Sequence, residues 1–367
     1  MKKYFILLPF FLFSTLVFSQ EDEWEDDDED FSMYEDWGTD EEIKRFCTPK
    51  ISGLSPAKLI SVGYDFAGPG KLGAGQLGAD PSYTGAQDGE INYSHGTRVL
   101  ASIPVLSTNK WLINLGGNFF ETKYDFASSS ELESPLLRSL DRDPIRTAGL
   151  NAMIFKPLNE ENFLLTFIGT EYSGNYNFDN LQSMSRLRHT VVAVYGWKPH
   201  ERLQYGFGAT QSYRAGEVNY FPIVMYNYTA PNKKWGIEAL LPARGHYRRT
   251  FNSRTLLLAG FELEGTSYHL ANRHGYFPDS GTDGMIPDYN ANDLELRRSE
   301  IRFRLDFQKA LSSFIWVSAQ AGYIYYYRYD LDSGDFFRGF FGDQPYVMEN
   351  AMQNTFYFQF SINLVSP

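Results

Sequence analysis

Residues 301–308 read IRFRLDFQ. Ile301, Phe303, Leu305 and Phe307 take one parity, and Arg302, Arg304, Asp306 and Gln308 take the other. Successive side chains of a β-strand point to opposite faces, so this segment has one wholly apolar face and one charged face. In a soluble sandwich the apolar face would be buried against a second sheet. In a membrane barrel the apolar face meets lipid and the charged face is enclosed. The rest of the chain decides between these two readings.

The alternation recurs along the sequence. Ile60, Val62, Tyr64 and Phe66 alternate with Ser61, Gly63 and Asp65. Tyr205, Phe207 and Ala209 do the same against Gln204, Gly206 and Gly208, as do Leu257, Ala259, Phe261 and Leu263 against Gly260, Glu262 and Glu264. Phe356, Phe358, Phe360, Ile362 and Leu364 close the series, interleaved with Tyr357, Gln359, Ser361 and Asn363. No comparable helical period is expected beyond the first twenty residues. Strands are expected near 57–67, 90–105, 111–126, 144–156, 162–177, 189–198, 202–214, 220–229, 254–268, 294–308, 314–329 and 354–365.

The connections sort by length. Short ones fall near 106–110, 157–161, 198–202, 230–233 and 309–313; long polar ones fall near 67–89, 127–143, 178–188, 270–293 and 330–352. Short and long connections on opposite sides are the layout of an outer-membrane barrel, and a sandwich has no reason to sort its loops this way. The stretch 234–251 lies between two short turns on the same side, so it is expected to be a hairpin turning near Pro242–Gly245. The proline supports that turn. The expected fold is therefore all-β: a transmembrane antiparallel up-and-down barrel of 14 strands, or 12 if two weak segments fail to pair. Tyr323, Tyr325, Tyr327 and Tyr329 are expected to share its outer face as part of an interfacial girdle.

Composition agrees with this reading. Aromatics make up 17% of the 367 residues, with 25 Tyr and 30 Phe, yet the mean hydropathy is −0.37. Past residue 19 no apolar run approaches the roughly 18–20 residues of a membrane helix, which excludes a helical membrane protein. The single cysteine, Cys47, excludes an intramolecular disulfide framework and a Cys-rich zinc site.

The N-terminus reads MKKYFILLPFFLFSTLVFSQ, two lysines and an apolar stretch followed by small residues, which predicts an export signal cleaved after Ser19. Residues 21–42 then carry 14 acidic side chains and no basic one. The net charge of −12 is accounted for by this run and the two signal lysines, so residues 43–367 are formally neutral. Such a run is expected to stay disordered. The domain reading is a signal at 1–19, an acidic periplasmic tail and lead-in at 20–56, and a barrel at 57–367. Outer-membrane lipid is the expected surroundings, and the tail or the long outer loops could engage a protein partner. With no basic footprint, nucleic acid is not expected.

On the inner face the alternation places Arg98, Arg214, Glu238, Glu262, Glu264, Arg298, Glu300, Arg302, Arg304, Asp306, Gln308, Gln320 and Gln359. Arginines facing carboxylates can set up a transverse field in a pore. The same charges can instead pair with one another and seal a closed barrel, and the sequence leaves both arrangements open.

Signals for catalysis or cofactors are weak. Ser267 and His269 lie close together without a convincing orienting carboxylate, and His269 and His274 read as exposed loop residues. Asp279 to Gly284 resembles part of a calcium loop, but Gly281 replaces a ligand and Asn290 stands where the bidentate Glu belongs. Gly70, Gly73, Gly75 and Gly78 precede no helix and form no phosphate loop. No enzyme activity, metal or cofactor is expected.

The GYDF segment at 63–66, GWKPHERLQYGFG at 196–208 and FYFQFSINL at 356–364 carry a resemblance. Together with the export signal and the acidic lead, they resemble an uncharacterised family of Bacteroidota-type outer-membrane β-barrel proteins, over roughly residues 50–365. The resemblance implies the fold and a Gram-negative outer-membrane location, and it supplies no activity and no site residues. The function expected is porin-like passage of small solutes through a charged lumen. The alternative is a non-conducting barrel serving as a structural or accessory subunit of a larger outer-membrane assembly.

Overall fold

The computed structural model describes residues 47–48, 51–77, 86–176, 186–212, 219–278, 290–333 and 346–366. Its strands follow the alternating segments in order: β1 (Lys58–Ala67), β2 (Gly70–Ala74), β3 (Gln87–Ser107), β4 (Leu112–Phe126), β5 (Ile145–Pro157), β6 (Asn162–Gly174), β7 (Arg188–His200) and β8 (Leu203–Ser212). They continue with β9 (Asn219–Thr229), β10 (Trp235–Leu241), β11 (Arg244–Asn252), β12 (Thr255–His269), β13 (Glu295–Ala310), β14 (Ile315–Asp332), β15 (Ala351–Met352) and β16 (Thr355–Val365). β1 pairs with β16 from Lys58↔Val365 and with β3 from Ile60↔Ala101, so the sheet closes on itself. Without the short β2 and β15, which pair together beyond the ring, 14 antiparallel strands form the barrel. The 14-strand expectation is met. The hairpin it required turns at Pro242 and Ala243, just beyond the last β10–β11 pair, Leu240↔Arg244.

Parity sets what each face meets. On β13, Phe303 is 49% exposed on the outside while its neighbour Arg302 is 6% exposed inside. Ile60, Val62, Tyr64 and Phe66, and then Phe356 through Leu364 at every second position, form the same outward apolar band on β1 and β16. Lipid in place of water at that band removes the cost of its exposure, which is why a chain of negative mean hydropathy suits a membrane.

Three features depart from the expected pattern. In β14, Ser299 pairs with Arg328 but Glu300 pairs with Tyr326, so Tyr327 is the extra residue of a bulge. A one-residue bulge flips the parity above it. Tyr323, Tyr325 and Tyr327 keep to the outer face, whereas Tyr329 turns inward, fully buried, and its hydroxyl donates to Tyr124 Oη at 3.0 Å. The second departure is a helix, α1 (Pro135–Arg142), in a connection read as polar loop. Ser134 precedes Pro135 at the first helical position, a helix start, and Leu136, Leu137 and Leu140 make one apolar face. The third is a closed core at the long-loop end. Those three leucines pack with Leu72, Phe126, Leu294, Leu296, Leu331 and Met348 into one buried cluster of the kind found in soluble proteins.

The walls differ in height at that end. The β11 ladder stops at Arg244↔Glu262, while β12 continues through residues 263–269 beside β13. The tip of β12 meets β6, His269↔Gly174, although six strand steps separate the two around the sheet. Asn175 N donates to His269 O at 3.1 Å, and Ala271 N donates to Asn175 Oδ1 at 2.8 Å. Main chain from one wall is thereby fastened to the other above the low β8–β11 side.

Candidate functional site

The inner face of β13 builds the site. Same-face residues on a strand lie two positions apart, so Arg298, Glu300 and Arg302 stack with Glu300 between two guanidinium groups. Arg298 Nε donates to Glu300 Oε2 at 2.7 Å and Arg302 Nε to Glu300 Oε1 at 2.6 Å. β12 adds Glu264, whose Oε2 lies 3.3 Å from Arg302 Nε. From β1, Asp65 Oδ2 accepts from Arg302 Nη1 at 3.0 Å and lies 2.6 Å from Arg98 Nε. Arg98 on β3 completes the circuit with a two-pronged grip on Glu264, 2.9 and 2.5 Å. β3 and β12 are five steps apart through β1, β16, β14 and β13, so this bond spans the interior.

Three arginines thus meet three carboxylates. The Arg302 and Glu300 side chains are 7% and 1% exposed, so their charges are withdrawn from water and held by partners. Rings cover the cations: Arg98 over Phe120, Arg298 over Tyr326 and Arg302 over Tyr357, with 4.8, 5.7 and 5.2 Å from the guanidinium carbon to the ring centroid. A cavity of about 20 Å³ remains beside the network, bordered by Asp65, Ser94, Thr122, Arg298 and Arg302 among others. That is room for about one water molecule.

The other sequence-read residues are placed as follows. Arg304 Nη1 lies 2.7 Å from Glu262 Oε2, and Arg304 Nε donates to His246 Nε2 at 3.1 Å. Asp306 Oδ2 accepts from Gln308 Nε2 at 2.8 Å. Gln320 Oε1 accepts from Tyr357 Oη at 3.5 Å, and Gln359 pairs across the strands with Asp65 and Gln320. Glu238 takes part at the short-turn end, described below. Arg214 lies outside the described residues, as do Asp279–Gly284 and Gly78. His269, read as an exposed loop residue, is instead buried with Ser267 where β12 leans over the interior; His274 pairs with Asp143 at 3.2 Å. Among the described residues no group of three or more His, Cys, Asp or Glu side chains is placed to hold a metal ion.

Sequence reading missed Asp65 and Arg248. Asp65 shares the polar parity of Ser61 and Gly63, so its inward direction was available, but nothing in the sequence marks it as the link between two arginines. Arg248 is fully buried, with Nε 3.2 Å from Glu238 Oε1 and Nη2 donating to Thr229 Oγ1 at 2.8 Å. The adjacent Arg249 points outward, and two neighbouring arginines conceal the phase of the strand.

The opposite wall has a different character. Asn114 and Asn118 of β4, Asn151 of β5 and Thr190 of β7 are uncharged and partly exposed on the inner parity. Leu100 and Phe221, also inward, are 43% and 41% exposed. The cross-barrel ionic network is carried by β1, β3, β12 and β13, whereas the inner faces of β4 and β5 present asparagines; Glu171 of β6 accepts from Asn118 Nδ2 at 3.3 Å, and the buried Arg188 of β7 pairs with Glu295.

The segment entering β1 comes in across the short-turn end. Ser55 donates to Glu238 Oε1 through N at 3.0 Å and Oγ at 2.8 Å. Ser52 N donates to Glu201 O at 2.8 Å, Lys198 Nζ to Thr48 O at 3.0 Å, and Cys47 N to Asn159 O at 3.0 Å. Cys47, 4% exposed, packs against Phe155, Phe163, Val194, Ile223 and Met225, and burial pushes its thiol pKa up. In the ring, β7 to β10 stand opposite β1. This strap therefore crosses the mouth.

A closed antiparallel sheet with an apolar exterior and a polar, ion-paired interior defines a class, the outer-membrane-type β-barrel. The chain belongs to the family described as Domain of unknown function (DUF6268), whose profile matches residues 109–364. The match opens in the turn before β4, so β1, β2 and β3 lie outside it. Among curated proteins no sequence matches this chain. Solved structures similar to it include an outer-membrane channel from Pseudomonas putida F1, 12% identical, covering 85% of this chain and 97% of that one at a TM-score of 0.35. A Pseudomonas aeruginosa FadL homologue is 10% identical, with 85% and 91% covered and a TM-score of 0.34. The P. putida toluene transporter TodX is 9% identical, with 86% and 91% covered and a TM-score of 0.34. At scores of this size the 14-strand topology stands on its own pairings.

Proposed function

We propose that the protein admits small polar solutes across the outer membrane along the asparagine-lined β4–β5 side of its interior. The observation that carries this reading is the segregation of the inner face. The cross-barrel ion network is neutral and buried, whereas Asn114, Asn118, Asn151 and Thr190 keep partial exposure and can bond a solute beyond the contacts that Asn118 makes to Glu171 and Thr190 to Ser212. Neutralised charges set up little transverse field, so passage along this side discriminates weakly between cations and anions.

Conductance in a planar phospholipid bilayer tests the proposal. The refolded chain is expected to give small currents of weak ion selectivity, and Arg98→Gln, which leaves the network one cation short, is expected to shift them toward cations. Silence from the refolded chain and from strap-loosened variants alike would leave the sealed barrel, acting as a subunit of a larger assembly, as the reading to pursue. That reading is favoured by the two covered ends: the strap across one and the α1 core with the β12–β6 contact across the other.

A further inference from the structure

The strap and the barrel are held in different ways. Each neighbouring pair of long strands shares a ladder of many pairs, for example from Ile60↔Leu364 to Ala67↔Tyr357 between β1 and β16. The described strap residues, 47–48 and 51–57, contribute no strand to the sheet. They are tied by single bonds to turn carbonyls at Asn159 and Glu201, by Lys198, by the carboxylate of Glu238 and by Ser366 N on Ala57 O, with Cys47 and Ile51 as their buried apolar contacts. Segments held by few separable bonds open locally at far lower free energy than the ladders beneath them. The turn that lets the strap follow this course is at Gly53, with φ +74°, where an added Cβ would stand 3.1 Å from Thr229 Cγ2.

We propose that this strap is a releasable latch over the short-turn mouth, and that its displacement, with the barrel intact, opens the interior to solute from that side. The inference rests on the passage reading above. Glu238 is the catch: one of its oxygens accepts both Ser55 bonds and also faces Arg248, so the strap is fastened to a charge pair the barrel already needs. In outer-membrane barrels the short-turn side is the periplasmic one, so on this reading the latch faces the periplasm.

Cys47 is the chain's single thiol and sits on the strap, so it reports release directly. The full chain, refolded in phosphatidylcholine vesicles, is exposed to N-ethylmaleimide and followed by mass spectrometry. Gly53→Val strains the strap at positive φ without removing any barrel contact. Ser55→Ala removes the hydroxyl bond to the catch and leaves the Glu238–Arg248 pair of the barrel in place. Each is expected to raise the rate of Cys47 modification about tenfold, the factor that 1.4 kcal/mol of destabilisation gives. Heat-modifiable migration on gels should be unchanged, and bilayer currents should rise in parallel. An unchanged modification rate in both variants, with the barrel folded, overturns the latch. Faster modification with no current upholds a moving strap and removes the passage reading instead, so the two failures are distinguishable.

Discussion

Arg302→Ala is expected to lower the stability of the refolded barrel by about 3–5 kcal/mol, the usual cost of removing one partner from a buried ion pair. The side chain is 7% exposed and touches Asp65, Glu264 and Glu300 at 3.0, 3.3 and 2.6 Å. Its loss leaves three acids facing Arg98 and Arg298 alone. Glu300 retains Arg298, whereas Asp65 and Glu264 both come to depend on Arg98, so most of the penalty falls there. Reversible unfolding by urea in lipid vesicles measures it, with the exposed Arg254→Ala as reference. Adding Asp65→Asn to Arg302→Ala should recover part of the loss, because the double change removes a charge of each sign. A cost below about 1 kcal/mol, the range of exposed pairs, would falsify the buried network as a stabilising core.

Leu150→Arg carries the second large effect. Leu150 lies in mid-β5, 73% exposed on the outer parity, between Gly117 and Thr170 on the flanking strands. Arginine at the bilayer midplane of a barrel costs about 2–4 kcal/mol and near the interface about 0–1. Leu158, just past the end of β5 in a short turn, is also exposed and supplies the interfacial comparison. Leu150→Arg should therefore cost several times as much as Leu158→Arg in the same vesicles. Equal costs for the two would mean that mid-β5 does not face hydrocarbon.

Much of the fold was legible because period-two alternation is a local signal repeated many times. The parity of short and long connections then forced 234–251 to contain a turn, which the structure places at Pro242–Ala243. Where the period breaks, the reading fails. Tyr327 inserts one residue into β14, and neither its identity nor its neighbours announce it, so Tyr329 was given the wrong face. The α1 helix was missed for the opposite reason: its signal, Ser134-Pro135 followed by Leu136, Leu137 and Leu140, is helical and lay within a stretch judged by its polarity. For the interior, alternation gives a direction but not a partner. That Arg98 would meet Glu264 five strands away depends on how the sheet curves, and the curvature is written in no single segment.

The seam between β1 and β16 has a consequence for biogenesis. Lys58 stands opposite Val365, and Ser61 Oγ donates to Asn363 Oδ1 at 2.6 Å, so the ring is joined by the two ends of the barrel sequence. Closure by contacts so remote along the chain is entropically costly and slow. Until Phe356–Leu364 arrives, β1 and β14 are bare edges, with peptide groups that hydrocarbon cannot satisfy and that invite pairing with other chains. A partly emerged barrel is therefore a hazard rather than a smaller version of the whole. Closure of the ring, and with it a stable inserted barrel, therefore waits on the C-terminal segment.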